Sequence, residues 1–247
     1  MYKKVSIIIP SYNESAYILK TLQRVLAANT LKLQKEVIIV DDGSTDDTNL
    51  KVKSPSFSQQ VGIRKGKLKS KVKYLKKNKN QGKGAALRDG FLQSTGDIVI
   101  VQDADLEYDP DDYPALLEPF LHEGADVVYG SRFISDRPHR VLYFWHFAAN
   151  IFLTTFSNML TNLNISDMET GYKAFKGELI RAIAPHLQSK RFGFEPEITA
   201  RIAKVKELKI YEVGISYRGR TYREGKKIGW RDGIRALWEI IKYNVLG

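Results

Sequence analysis

The chain has 247 residues, 43% hydrophobic and 27% charged, enough apolar material for a globular core and too much for wholesale disorder. It contains no cysteine, which excludes disulfides, thiolate metal sites and a cysteine nucleophile. The net charge of +11 is local: Thr48 to Arg88 carries 13 of the 39 Lys and Arg and none of the 28 Asp and Glu, a stripe that attracts nucleic acid, anionic lipid or phosphorylated substrates.

In chain order, Val5–Ile9 is a continuous apolar run. It reads as a strand buried on both faces and is too short for the core of a signal peptide. Its exit is the loop Pro10-Ser11-Tyr12-Asn13-Glu14. Ala16–Ala28 predicts an amphipathic helix through Ile18, Leu19, Leu22, Val25 and Leu26. Val37–Val40 is a second buried strand, and Asp41-Asp42-Gly43-Ser44-Thr45-Asp46 is its exit. The Lys-rich stretch 49–80 has weak periodicity and reads as an insertion or long loop around one strand, Val72–Leu75. Gly84–Ser94 predicts a helix. Asp97–Val101 predicts a strand ending at Gln102-Asp103-Ala104-Asp105-Leu106-Glu107. Asp109-Pro110-Asp111-Asp112 opens a helix to about Glu123, with acids in the first turn as the helix dipole prefers. Val127–Tyr129 is a further short strand.

Strands alternating with helices predict an α/β fold with a mostly parallel, doubly wound sheet, in which ligands sit outside the carboxyl ends of the strands. Three such ends carry Tyr12-Asn13-Glu14, Asp41-Asp42 and Asp103 with Asp105, and should converge on one edge. In extended geometry Asp103 and Asp105 point the same way, so the pair can share Mg²⁺ or Mn²⁺, with Glu107 continuing that face. The alternative for a lone Asp-x-Asp is a solvated acidic turn. Ser44–Asp47 is explained by helix capping, but two adjacent carboxylates at a buried strand's exit are not. Asn80-Gln81-Gly82-Lys83-Gly84-Ala85-Ala86 offers amides and a lysine suited to a phosphate, or is simply a glycine-rich turn.

Five stretches occur in the order and spacing of family-2 glycosyltransferases: 10–14, 41–44, 80–86, 103–105 and Gly130-Ser131-Arg132-Phe133. Asp167–Lys173, Arg191–Glu197 and Tyr217–Gly233 resemble the polyprenyl-phosphate branch of that family, which includes dolichol-phosphate mannose and glucose synthases. The resemblance implies the GT-A (Rossmann-like) fold with C-terminal amphipathic helices. It implies one catalytic domain over 1–247, with a nucleotide-binding half to about 130 and an acceptor- and membrane-facing half beyond. Pro10, Tyr12, Glu14, Val40, Asp42, Lys83, Asp103 and Ala104 would surround the nucleotide-sugar. Asp103 and Asp105 would hold Mg²⁺ or Mn²⁺, with Glu107 as a third ligand. Asp105, Arg132, Asp167 and Glu169 would form the catalytic group. Gly193 falls where a lysine is expected in mannose synthases, which leaves a UDP-glucose type donor as open as GDP-mannose.

The implied reaction inverts the anomeric carbon and passes a hexose to polyprenyl (dolichyl or undecaprenyl) phosphate. A phosphate monoester with a second pKa of about 6 is already ionised at pH 7, so a base contributes little and Asp167 or Glu169 is as readily an orienting group. A saccharide hydroxyl acceptor is the alternative, and would need a base. Arg140, Arg218, Arg220, Lys226 and Lys227 are candidates for an acceptor-phosphate lid. Val141–Leu163 is heavily aromatic and reads either as a core helix or as one lying at a membrane interface. Trp230–Leu246 has helical apolar spacing. No stretch is apolar enough to span a bilayer. The chain is therefore expected to be cytoplasmic, peripheral on the cytosolic face of a membrane, with a membrane-protein partner a further option. A non-enzymatic nucleic-acid binder is the remote reading, since Phe57 and Tyr74 are the only aromatics in the basic stretch and offer few stacking platforms.

Overall fold

The computed structural model describes residues 1–54, 71–134, 140, 141, 143–191, 193–220 and 230–246. Seven strands form one sheet: β1 Lys4–Ser11, β2 Gln34–Asp41, β3 Lys71–Lys76, β4 Ile98–Val101, β5 Val127–Ser131, β6 Lys173–Lys176 and β7 Ile210–Gly214. Their order is β3-β2-β1-β4-β6-β5-β7. β6 runs antiparallel to β4 and β5, and the remaining pairings are parallel. The mostly parallel α/β sheet expected from the sequence is thus present, with the five foreseen strands in place. β6 and β7 were not foreseen. Their short runs, Lys-Ala-Phe-Lys and Ile-Tyr-Glu-Val-Gly, bear charges at their ends or middle and lack the long apolar stretch of a central strand.

Alternation along the strands builds two cores. Val5, Ile7, Ile9, Val37, Ile39, Ile98 and Ile100 face one side, where α1 (Ile18–Ala27) and the helical run from Pro110 to Glu123 cover them. Ile8, Ile38, Val40, Val99 and Val101 face the other. α1 buries Ile18, Leu22 and Val25 at helical spacing. Its carboxyl end is closed by Lys35, whose Nζ donates to the carbonyls of Val25, Leu26 and Ala28. The basic stretch contains α2 (Thr48–Lys53) and β3. Residues 55–70 lie outside the described residues.

The second core is covered by α3 (Lys83–Gln93), α5 (Phe144–Thr161), α6 (Gly177–Ile183), α7 (Phe194–Ala203) and α8 (Trp230–Ile241), α4 being Tyr113–Glu118 in the run already named. The helix predicted to Glu123 changes character at Pro119, which lacks an N–H, and finishes as a wider π turn. α5 has 18 residues, of which Leu153, Thr154 and Ser157 are buried. α5 therefore lays one side on the second core through Leu153 and leaves its other side outward, with Trp145 78% and Phe144 67% exposed. What α5 does anchor is the loop before β6. Thr154 Oγ1 accepts from the Met168 amide and Asn158 donates to the Ile165 carbonyl.

Candidate active site

β1, β2 and β4 are adjacent and parallel, so their carboxyl ends lie together. The first two exits are laced to each other. Asn13, at φ 55°, takes the Thr45 amide on its side chain, and its own amide donates to Ser44 Oγ. The amides of Glu14 and Ser15 donate to Thr48 Oγ1 and Asp46 Oδ2. Burial would raise Asp46, but hydrogen bonds from Thr48 and Ser15 hold it down to about 2.

Asp42 is buried, and its carboxylate is spent within the protein. It accepts the Gln81 amide at 3.0 Å and the Gly82 amide at 2.5 Å, and pairs with Lys77 at 3.2 Å. It thereby fixes the turn that opens α3, where Gly82 sits at φ +100° and a Cβ would stand 2.1 Å from the Lys190 carbonyl. Val40 and Ala104 are both buried. The Val40 side chain is wholly buried in the second core, and Ala104 packs in the first with its carbonyl taken by Thr21. Pro10 is buried in β1, while Tyr12 is exposed at the edge of the site.

The carboxylates after β4 do not continue an extended strand. Leu106 takes φ 62°, a left-handed conformation that costs a non-glycine residue energy and turns the chain between Asp105 and Glu107. Asp103 receives Lys83 Nζ at 3.0 Å, and Lys83 also reaches Glu195 at 3.1 Å. Asp105 receives Arg220 Nη2 at 2.6 Å. Glu107 is committed to Arg220 Nε at 3.1 Å, the Arg220 amide at 2.9 Å and Tyr217 Oη at 2.8 Å. Glu107 therefore does not continue an extended face with Asp103 and Asp105, but lies beyond the turn at Leu106 on Arg220 and Tyr217. Among the described residues no group of three or more His, Asp or Glu is placed to hold a metal ion. Burial, then the charges of Asp103 and Glu107, raise Asp105 to about 7. Lys83 stays well above its ordinary value because Asp103 and Glu195 outweigh its burial.

Behind this cluster Gln102 Oε1 accepts from Tyr113 and Tyr172, while its amide group donates to the Asp103 carbonyl. Tyr108 stacks on Tyr172 at 5.0 Å and accepts the Gly171 amide. A Cβ at Gly171 would stand 2.5 Å from Asp103 Oδ2, so the loop before β6 closes directly onto the cluster.

That loop carries the second polar group. Arg132, just after β5, holds Asp167 by Nε and Nη2, both at 2.7 Å, and its amide adds a third bond. Both Asp167 oxygens are thus neutralised by a guanidinium. Glu212 on β7 accepts the Ser166 and Asp167 amides. Glu169 has a buried oxygen, Oε1, without a hydrogen-bond partner. Burial and the charge of Glu195 raise it to about 8, against Lys173 and Arg132. Lys173 is buried on the carbonyls of Met168 and Thr170 and over the Tyr129 ring, and burial lowers it to about 8.

Of the expected acceptor-side cations, Arg140 binds the Tyr217 and Gly219 carbonyls and Arg218 points largely outward near Asp109. Arg220 instead lies on Asp105 and Glu107. Lys226 and Lys227 lie outside the described residues. The sequence reading assigned no role to Glu195, Lys173, Gln102 or Tyr217. Glu195, Lys173 and Tyr217 stood in the quoted motifs Arg191–Glu197, Asp167–Lys173 and Tyr217–Gly233, and Gln102 in the stretch that ends its strand.

This is an α/β fold with a charged, phosphate-suited crevice at its strand ends. The chain belongs to glycosyl transferase family 2, whose model matches residues 6–183, and it is a glycosyltransferase by that membership. It is 29% identical to the undecaprenyl-phosphate mannosyltransferase of Micrococcus luteus, over 96% of each chain. It is 28% identical to the dolichol-phosphate mannosyltransferase of Pyrococcus furiosus, matching 97% of this chain but 64% of that longer protein. It is 28% identical to a UDP-N-acetylglucosamine–dolichyl-phosphate N-acetylglucosaminyltransferase of Methanococcus voltae, over 97% of this chain and 95% of that one. The fold also matches glucosyl-3-phosphoglycerate synthase of Mycobacterium tuberculosis, crystallised with Mn²⁺, UDP and phosphoglyceric acid. That match has a TM-score of 0.70 and 19% identity, over 98% of this chain and 79% of that one.

Proposed function

We propose that this protein transfers a hexose, with inversion, from a nucleotide-sugar to polyprenyl phosphate at a membrane surface. The carrying observation is the meeting of Asp103, Asp105 and Lys83 at the carboxyl ends of parallel strands. The named relatives that act on polyprenyl phosphates support the acceptor class.

Asp103 and Asp105 fit a hard divalent cation. They offer oxygen ligands on one turn, and Mg²⁺ is usually held by one or two carboxylates plus substrate phosphates. The raised Asp105 marks an excess of buried negative charge that such a cation offsets. When bound, Mg²⁺ or Mn²⁺ would neutralise the diphosphate leaving group. The chain's own residues do the rest. Lys83 is fixed beside Asp103 and adds a cation at the leaving group. Glu14, Tyr12 and the turn held by Asp42 border the nucleotide. Arg132 is locked onto Asp167 and orients the loop that carries Glu169. With Asp167 neutralised by Arg132, it is no free base.

The exposed face of α5, with Phe144, Trp145, Phe147 and Phe152, and that of α8, with Ile234 and Trp238, would rest at the headgroup level on the cytosolic side. Among the described residues no helix is long and apolar enough to cross a membrane. The test is radiolabel transfer from several nucleotide-sugars to a short polyprenyl phosphate with Mg²⁺ or Mn²⁺ and an EDTA control. Metal-dependent label in the organic phase is expected, and it identifies the donor. Nucleotide release without organic-phase label would overturn the acceptor.

A further inference from the structure

We propose that Glu197 is a positioning residue for the nucleotide-sugar: it holds residues 187–191 as a strap behind the turn that opens α3, and through that strap fixes the turn's backbone. The inference rests on the transferase reading above, in which that turn borders the nucleotide. Glu197, in the first turn of α7, is wholly buried. Its Oε1 accepts the Gln188 amide at 2.8 Å and its Oε2 the Ser189 amide at 2.6 Å. Arg201, one turn on, supplies Nε and Nη2 to Oε1, both at 2.8 Å. A carboxylate gives up its hydration on burial, and here backbone and guanidinium donors replace it. A segment that merely crosses a surface needs no such anchor, whereas one that supports a binding element must be locked in place.

The strap meets the turn backbone to backbone. The Ala85 amide donates to the Lys190 carbonyl at 3.3 Å. A Cβ at Gly82 would stand 2.1 Å from that carbonyl oxygen, and one at Gly84 would stand 2.3 Å from the Ser189 carbonyl oxygen. The other side of the turn is fixed by Asp42, which takes the Gln81 and Gly82 amides. The ends of the strap are seated without Glu197. Leu187 is buried in the second core, and Gly193, just beyond, lies so close to α8 that a Cβ there would be 2.9 Å from Glu239 Cγ. The middle of the strap depends on Glu197. α7 thus holds the turn twice, through Glu195 on the Lys83 side chain and through Glu197 on the backbone. Lys83 keeps Asp103 and Glu195 whatever the strap does. Loss of Glu197 therefore shifts backbone amides and leaves the cation in place, which alters donor affinity rather than the chemical step.

The test is steady-state kinetics with the nucleotide-sugar varied, in wild type, Glu197→Gln, Gly84→Ala and the double variant, with a melting temperature for each. Glu197→Gln is expected to raise the donor KM about tenfold while kcat stays within about threefold. Gly84→Ala keeps Glu197 and puts a better helix former into α3, so helix propensity by itself leaves activity untouched. Its methyl group drives strap and turn apart, and the donor KM should rise about fivefold. Both changes break one contact, so the double variant should resemble Glu197→Gln alone. An unchanged donor KM in either single variant overturns the proposal, and so do effects that multiply in the double. A melting temperature that falls while the donor KM holds marks a residue that only stabilises, and overturns it equally. Where Glu197→Gln does not fold, Gly84→Ala decides by itself. Wild type gives a reading free of any variant. Nucleoside diphosphate should slow hydrogen exchange at the Gln188 and Ser189 amides, which lie on Glu197 behind the turn, and unaltered exchange overturns the coupling. Wild type that neither binds nucleoside diphosphate nor transfers sugar would instead defeat the transferase reading itself.

Discussion

At the carboxyl ends of β1, β2 and β4, carboxylates and cations are buried; on α5, aromatic rings face outward. Asp103, Asp105, Asp167, Glu169 and Glu195 crowd with Lys83, Lys173 and Arg132 at one edge of the sheet. On α5, Phe144, Trp145 and Phe152 are each more than half exposed. Both regions depart from the ordinary partition of polar residues outside and apolar residues inside. The first departure is compensated within the molecule, because nearly every charge there has a partner. The second is compensated by nothing the described residues supply. A fold retains buried charge where it serves chemistry and exposed aromatic surface where it serves contact. The two regions also share a hinge of sequence, since the loop anchored on α5 by Thr154 and Asn158 is the one that places Asp167 and Gly171 against the cluster.

The comparison breaks first at Asp105. Asp105→Asn should lower transfer by about a thousandfold, as loss of an electrostatic contact at a developing charge does. Its circular dichroism and melting temperature should stay near wild type, because a neutral side chain relieves the crowding that raises Asp105. Wild-type turnover with metal still required would remove Asp105 from the metal site. Next in size is Lys83→Met. It leaves Asp103 and Glu195 facing each other without their shared cation and should cost about 3 kcal/mol in urea unfolding. A loss below about 0.5 kcal/mol would show that the cluster is solvated rather than compensated from within.

The aromatic face is tested by Trp145→Glu combined with Phe152→Ser. Losing two partly inserted rings should weaken sedimentation with anionic liposomes by about tenfold to a hundredfold. Stability should be unchanged, because neither ring is in a core. Equal sedimentation would return α5 to an undefined surface. The smallest effect is in pH dependence. Glu169 is raised from 4.5 to about 8, so the folded chain holds a proton there that the unfolded chain has lost. That contribution lowers stability as pH rises from about 5 to 8. Glu169→Gln should flatten this part of the melting-temperature profile of the metal-free protein, and an unaltered slope would mean that Glu169 is already ionised.

Much of the strand-end crevice was legible in sequence. Val5–Ile9, Val37–Val40 and 98–101 announce buried strands by continuous apolar runs, and the polar residues just after them mark the crevice. Lys83 was legible because it stands at the start of a helix beside glycines. Less legible was the geometry of Glu107, because the left-handed turn at Leu106 breaks the i, i+2 rule on which the reading of that face depended. β6 went unseen because four residues flanked by lysines carry too little pattern, and it is held by β4 and β5 on either side.

What the sequence determined by itself is therefore what local chemistry dictates: the strands and helices with strong periodicity, the polar exits, and the excess of aromatic residues after Val141. Tertiary structure decided the partners. Asp105 and Arg220 are 115 residues apart, and Lys83 and Asp103 are 20 apart on different elements. Periodicity of two or 3.6 residues carries no information over such separations. Whether a carboxylate meets a lysine, an arginine or a neighbouring carboxylate depends on which elements the sheet order brings together, and the burial created by that packing sets the charge each one carries.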